Sequence, residues 1–501
     1  MARCGRHRYM QGDFMKDVER NAPKVEARTV KGCQDLLPED MIPRKKVVRA
    51  IEDVFERYGF LPIETPALEH LETLLGAGGE ETNKELFRLE SPEGDPIALR
   101  FDMTVPFARL LAQYPDKLKT PFRRYACGPV WRADKPGPGR FRQFTQFDID
   151  AAGSESAAVD AEIIAIMAEV MQAVGIGDFV VLVNNRKVVD ALLYGHNVRC
   201  PARHKHVLRV IDKLAKVGIE NVRLELGEGR MDESGDPIPG VKLDKETIDG
   251  LLSFLAIQAD TRHGIVEAMR AALPPGEQTD AAMAEMDELA SNLDALGVDE
   301  KHAVFAPSLA RGLDYYTGPV FETILPNAPE FGSVMGGGRY NQLVARFLEE
   351  PIPCTGMSVG LDRLMAALRY LGVVPEEKTI VEALVMTLGN VPVSEAMRVA
   401  AELRGNGICA EVYFGAKRSL KAQLSHADRF GIPVAVILGE DELAQGMVSV
   451  KDLMAGKQQR ADISDHDTYR KAGKATQVTV PNTILIDTVR NLLEHDRGQS
   501  E

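Results

Sequence analysis

Arg132, Arg140 and Arg142 bracket a short Pro/Gly stretch, ADKPGPG, and are followed at every second position by Phe144, Gln146, Asp148 and Asp150. Guanidinium groups offer planar, paired donors that match phosphate oxygens and stay charged at any working pH. An aromatic ring among them gives a purine a face to stack on. Gln146 and Asp150, together with Asp102 from an earlier segment, are suited to receive an amino group and the N–H donors of a small polar substrate. The combination predicts a platform for a nucleoside triphosphate and a small cationic or dipolar molecule. A single arginine of this set is accounted for by a solvated ion pair with Asp134, Asp148 or Asp150. The row as a whole is not, because an exposed face has no use for an aromatic amid its charges and a buried one demands a partner for every charge.

Neither G-x-x-x-x-G-K-[ST] nor a strand followed by G-x-G-x-x-G occurs, so a nucleotide must be held by side chains rather than by a standard phosphate loop. Two further segments carry candidates. RGLDYYTG (311–318) contains Arg311 and Tyr316, which strand parity puts on opposite faces unless the backbone kinks near Gly312. MGGGRY (335–340) ends in Tyr340, and its glycines are expected to form a tight turn where backbone approaches something closely. The six cysteines have no metal-ligand or disulfide-framework spacing and are expected to be reduced and mostly buried.

These residues need elements to position them. RKKVVRAIEDVFERY (44–58) has helical apolar spacing, and Pro62 and Pro66 confine the extended segment after it to a sheet edge or an interface. In IALRFDMT (97–104), period two puts Arg100, Asp102 and Thr104 opposite Leu99, Phe101 and Met103. The same period over 123–150 predicts two long antiparallel strands. Arg140, Arg142, Phe144, Gln146, Asp148 and Asp150 then share the polar face, backed by Phe141, Phe147 and Ile149. Residues 356–372 read as a glycine-led amphipathic helix, and from 380 onward strand and helix patterns alternate as in a small α/β domain.

A chain of 501 residues is expected to form about three domains. Its 45% hydrophobic and 27% charged content is that of a soluble protein, and without an apolar run of membrane-spanning length a cytoplasmic location is expected. Residues 1–28 read as a mobile leader, with initiation at Met1, Met10 or Met15 left open. The net charge of −14 does not exclude nucleic acid, because phosphate attraction is set by local basic surfaces.

GFLPIETPALE, GPVWRADKPGPGRFRQFTQFDID and GMSVGLDRLM resemble motifs 1, 2 and 3 of the class II aminoacyl-tRNA synthetases. LARGLDYYTGPVFE and GGGRYNQLV resemble the two signatures of the histidyl-tRNA synthetase family, and the C-terminal part is similar to the anticodon-binding domain of the histidine, threonine, proline and glycine enzymes. The resemblance implies an α+β fold: a class II antiparallel sheet flanked by helices, an inserted helical domain and a C-terminal α/β anticodon-binding domain. The boundaries expected are a catalytic domain over 29–175 and 305–372, an insertion over 176–304, a linker over 373–379 and the anticodon-binding domain over 380–501.

It also implies the activation of L-histidine by ATP with Mg2+, transfer of histidine to the 3′ end of tRNA(His), and a homodimer with no membrane partner. By the same resemblance Arg132 would hold the ATP α-phosphate and the substrate carboxylate. Phe144 would stack on adenine, and Arg140 and Arg363 would contact the outer phosphates. Asp102, Thr104 and Gln146 would hold the α-amino group, Asp150 and Tyr316 would read the imidazole nitrogens, and Tyr340 would close that pocket. Arg311 would be the catalytic arginine, placed where the carboxylate attacks the α-phosphorus. Aspartate at 102 and 150, where many bacterial members carry glutamate, suggests the eukaryote-like branch, and the turn lacks the R-P-Q of common bacterial forms. The alternative is a non-catalytic, synthetase-like regulatory subunit of histidine biosynthesis. Retention of Arg311, Arg363 and a C-terminal domain disfavours it.

Overall fold

The computed structural model describes residues 25–76, 83–137, 139–232, 235–310, 315–374, 377–458 and 476–498. The expected leader and Arg311 therefore fall outside the described residues, the leader for all but its last few positions.

The amphipathic run expected over 44–58 is part of a helix over Pro38–Arg57. Pro38 takes the first turn, where a missing N–H costs nothing, and the Asp40 side chain accepts from the backbone N–H of Leu37. Its buried stripe, Val47, Ile51, Val54 and Phe55, lies against the back of a large sheet, with the Phe55 ring edge-on to Phe147 at 4.9 Å between centroids. A second helix, Ala157–Ala173, covers the same back face, its first turn capped by the Ser156 hydroxyl accepting from the Ala158 N–H.

The N-terminal part contributes β1 (Leu61–Pro62), β2 (Leu68–His70), β3 (Arg88–Glu90), β4 (Pro96–Leu99), β5 (Phe122–Trp131), β6 (Gln143–Ala152) and β7 (Val180–Asn185). A short hairpin, β8 (Gly229–Met231) and β9 (Pro237–Pro239), lies among the helices that follow. The main sheet is completed by β10 (Ala303–Phe305), β11 (Pro319–Ile324), β12 (Met335–Arg339) and β13 (Cys354–Gly360). Its order is β1-β5-β6-β13-β12-β11-β7-β10, with antiparallel pairing throughout its middle and parallel pairs β1/β5 and β7/β10 at the two edges. Strands β2, β4 and β3 form a separate small sheet. As its prolines require, β1 is an edge strand.

Four expectations need correction. Of the five cysteines among the described residues only Cys354 is buried, so most are not enclosed as expected. The glycine run at 335–340 is not a turn: it forms β12, buried throughout, because a Cβ on Gly337 would meet Gly356 O at 2.1 Å and the Met357 Cα at 2.6 Å. Glycine there lets β12 and β13 approach closely. The segment from 356 is a strand before it is a helix, which starts only at Leu361. And β7 and β10, inside the stretch read as an insertion over 176–304, are members of the main sheet; what lies between them is mostly helical.

The C-terminal part has β14 (Ala383–Thr387), β15 (Ala410–Val412), β16 (Val434–Leu438), β17 (Met447–Asp452) and β18 (Gln477–Pro481) in the order β15-β14-β16-β17-β18. Its first three strands are parallel and alternate with the helices Val393–Gly405 and Leu420–Phe430.

Candidate active site

Strands β5 and β6 build the floor. Their register sets Arg124 opposite Asp150, Ala126 opposite Asp148 and Gly128 opposite Gln146. On the other flank of β6, Asp150 faces Gly356, Asp148 faces Ser358 and Gln146 faces Gly360. Small residues thus flank Gln146 and Asp148 on the β5 side, and Gly356 makes room for the Asp150 carboxylate on the β13 side. At Gly356 the fit is so close that a Cβ would lie 2.1 Å from Asp150 Oδ1. Phe147 and Ile149, between them, point into the apolar back.

Above this floor is a cavity of about 280 Å3. Asp102, Thr104, Gln146, Asp150, Tyr316 and Tyr340 line it, together with Arg132, Arg140, Phe144 and Arg363. Ten of the eleven site residues expected from sequence are therefore brought together, and Arg311 lies outside the described residues.

The acidic end is buried. Arg124, fully enclosed, forms an ion pair with Asp150, donates to Met103 O at 3.1 Å and lies over the Phe107 ring at 4.8 Å. The Tyr340 hydroxyl donates to the other Asp150 oxygen. Tyr315 packs edge-on against both Tyr316 and Tyr340. Burial pushes the Asp150 carboxyl up to about 7, and Asp148 to about 6, with Arg124 pulling each back towards ionisation. Burial also raises Asp102, opposed first by the Val105 N–H that its Oδ1 accepts at 3.0 Å. Among the described residues, Asp102 Oδ2 and Gln146 Oε1 are buried acceptors with no donor, a cost that a ligand's N–H groups would relieve.

The basic end is half open. Arg132 donates to Phe101 O at 3.0 Å with its guanidinium 5.2 Å from the Phe144 ring centre. Arg140 pairs with Asp134 at 2.7 Å, the ordinary ion pair that the sequence also allowed, while still lining the cavity. Arg363 donates to Ser333 O at 2.7 Å. One residue earlier, Asp362 accepts from the Thr145 N–H at 2.6 Å and pairs with buried Arg44 at 3.1 Å. This clamps the helix Leu361–Tyr370 to β6 and to the helix Pro38–Arg57.

Strand parity failed at two places. Regular pairing in β6 starts only at Gln143, so Arg142 does not follow the alternation: it donates to Asp134 O and packs on Gly32, while Phe141, assigned to the back, lines the cavity. Likewise β4 ends at Leu99 and Thr104 opens the helix Thr104–Gln113, so Asp102 and Thr104 reach the cavity from a strand-to-helix turn and not from one strand face. Tyr315 and Ser358, for which the sequence suggests no role, also line the cavity, as does Asp134, expected only as an ion-pair partner. Tyr315 lies before the strand Pro319–Ile324, where parity has no meaning.

A model of the family described as Histidyl-tRNA synthetase matches residues 32–364, and one described as Anticodon binding domain matches 382–472. The chain is 41% identical over 499 residues to the "Histidine--tRNA ligase" of Paracoccus denitrificans, covering 96% of this chain and 100% of that one. It is 40% identical over 483 residues to that of Caulobacter vibrioides, covering 94% and 97%. Among solved structures, histidyl-tRNA synthetase from Nostoc sp. PCC 7120 superposes with a TM-score of 0.77 at 32% identity, covering 93% of this chain and 100% of that one. These relatives are bacterial and give no support to a eukaryote-like branch.

Replacing Arg124 with Met tests the charge balance of the floor. It leaves Asp148 and Asp150 buried without their nearest cation, which should cost about 3–5 kcal/mol at pH 8. Removing the cation raises the Asp150 pKa further, so the folded variant binds a proton that the unfolded chain does not, and stability falls as pH rises. Urea melts should show the deficit relative to the parent shrinking as pH drops from 8 to 5. A deficit independent of pH would mean that packing, not charge, explains the loss.

Proposed function

The chain belongs to the histidyl-tRNA synthetase family and is a histidine–tRNA ligase, and from that premise we propose which residues carry the reaction. The observation behind the assignment is that one cavity brings buried acceptors, Asp102, Gln146 and Asp150, together with guanidinium groups, Arg132, Arg140 and Arg363. ATP lies across the basic end. Phe144 stacks on its adenine, Arg132 holds the α-phosphate together with the carboxylate of histidine, and Arg140 and Arg363 hold the outer phosphates. Asp102, Thr104 and Gln146 take the α-ammonium, Asp150 and Tyr316 take the two ring nitrogens, and Tyr340 closes the pocket while holding Asp150 in place.

A histidine carboxylate oxygen attacks the α-phosphorus, and the bond to the bridging oxygen breaks to release pyrophosphate. Negative charge grows on the phosphoryl oxygens, and the cations Arg132 and, by the family resemblance, Arg311 lower that barrier. Binding both reactants on one rigid sheet supplies much of the remainder. A hydroxyl of the terminal adenosine of tRNA(His) then attacks the acyl carbon and AMP leaves. Magnesium enters with the nucleotide. Bound with ATP, it would offset the charge of the phosphate oxygens that Arg132, Arg140 and Arg363 would also hold. The C-terminal α/β unit meets the anticodon. No helix among the described residues is long and apolar enough to cross a membrane, and the protein works in the cytoplasm. The regulatory reading is set aside, since relatives about 40% identical over nearly the whole chain are ligases.

Selectivity follows from the same groups: a ligand that leaves buried hydrogen-bonding atoms unpaired is rejected by ~10⁴-fold or more. ATP–pyrophosphate exchange should require histidine and Mg2+; equal exchange with threonine, with proline or with no amino acid would overturn the pocket assignment. Arg311→Ala should lower the adenylation rate far more than histidine affinity, and an effect on affinity alone would remove it from catalysis.

Exposed Leu61, Leu68 and Leu89, on β1 and the small sheet, support a homodimer built around the helix Pro38–Arg57 and this edge. Analytical ultracentrifugation should give a dimer, and a monomer at working concentrations would contradict it.

A further inference from the structure

Resting on the reading that Gln146 receives the substrate ammonium, we propose that Ser358 and Asp148 form a relay behind Gln146 that fixes its amide with the carbonyl towards the cavity. They are positioning residues for the recognition of an α-amino group.

The problem they solve is the symmetry of a primary amide. Gln146 lines the cavity and is nearly buried; turned over, it would present its NH2 to a cation and repel it. In the structure Gln146 Nε2 donates to Ser358 Oγ at 2.6 Å, and Oε1 is the buried end without a donor among the described residues. A serine hydroxyl has one proton, so Ser358 can accept from Gln146 in this orientation only if its own proton goes elsewhere. Asp148 is where it goes. Asp148 sits directly opposite Ser358 in the β6–β13 register and is the next residue of β6 on the same face as Gln146. It is 1% exposed, and among the described residues neither of its oxygens has a hydrogen-bond partner, so it is an unmatched buried acceptor across the strand pair from Ser358. An ionised carboxylate can only accept. After Arg124, the Ser358 hydroxyl is the strongest influence favouring the charged form of Asp148, and the Arg100 guanidinium also faces it. With the Ser358 proton turned to the unmatched Asp148 acceptor opposite it, the order of donation is set: Ser358 donates to Asp148, Gln146 gives its N–H to Ser358, and the Gln146 carbonyl is left for the ligand. Asp148 does not line the cavity, and Ser358, which does, acts here through the Gln146 amide.

The test is a ratio of affinities at pH 8, measured by calorimetry with L-histidine and with its des-amino analogue 3-(imidazol-4-yl)propionate. The parent should prefer histidine. Ser358→Ala and Asp148→Asn should reduce that preference by about tenfold, the worth of one well-placed hydrogen bond to a charged group. Ser358→Thr, which keeps the hydroxyl, should retain it. Variants that bind both ligands more weakly by the same factor, or that keep the parent ratio, overturn the relay. A parent with no preference overturns it at an earlier point, by removing Gln146 from the ammonium site. Ser358→Ala deletes a single oxygen, and its thermal melt verifies that the fold survives.

Discussion

Everything in the catalytic half depends on keeping ionisable groups out of water on one face of a sheet. Arg124, Asp148 and Asp150 are almost completely enclosed, and Asp102 is close to it. Charges in such a place are costly unless each is met by a partner. Here the partners are incomplete by design of the strands. Arg124 engages Asp150, the Met103 carbonyl and the Phe107 ring while its Nε and Nη1 lack partners among the described residues, and Asp102 and Gln146 keep acceptors unmatched. Carboxyls held this way bind protons more readily than in water, and for the same reason bind a ligand's N–H groups strongly.

The fold supplies what this arrangement needs. Backbone hydrogen bonds on both flanks of β6 hold Gln146, Asp148 and Asp150 at fixed spacing, and the missing side chains of Gly128 and Gly356 make room for the Arg100 guanidinium and the Asp150 carboxylate. The Asp362–Arg44–Thr145 cluster locks the Arg363 helix onto the same strand, so the two ends of the cavity cannot drift apart. For a reaction whose barrier is mostly that of bringing two anionic reactants together in line, this rigidity is itself a catalytic contribution.

Much of the site was legible because period two is a strong signal where a strand is long and one face is apolar. Gln146, Asp148 and Asp150 over Phe147 and Ile149 is such a case. The signal fails where the chain stops being a strand. Arg142 and Phe141 exchanged their expected sides in the turn before Gln143, and Tyr315 lies ahead of its strand. The glycines of β12 were misread because local sequence cannot distinguish a turn from a strand stripped of side chains for close packing; that depends on β13, brought in from later in the chain. The membership of β7 and β10 in the main sheet was hidden for a similar reason, since short apolar runs between helices carry no mark of the sheet they join. The part played by Arg124 likewise depends on what encloses it, which only the assembled fold reveals.

The most direct test of this account is the titration of Asp150 by NMR of carboxyl-labelled protein, assigned by its loss in Asp150→Asn. Without ligand the carboxyl should titrate near pH 7, and saturation with histidine should move it downward by a unit or more as the imidazole ring meets the carboxylate. An Asp150 that titrates like a solvated carboxyl, or one indifferent to histidine, would contradict the claim that desolvated acceptors on this sheet are what hold the substrate.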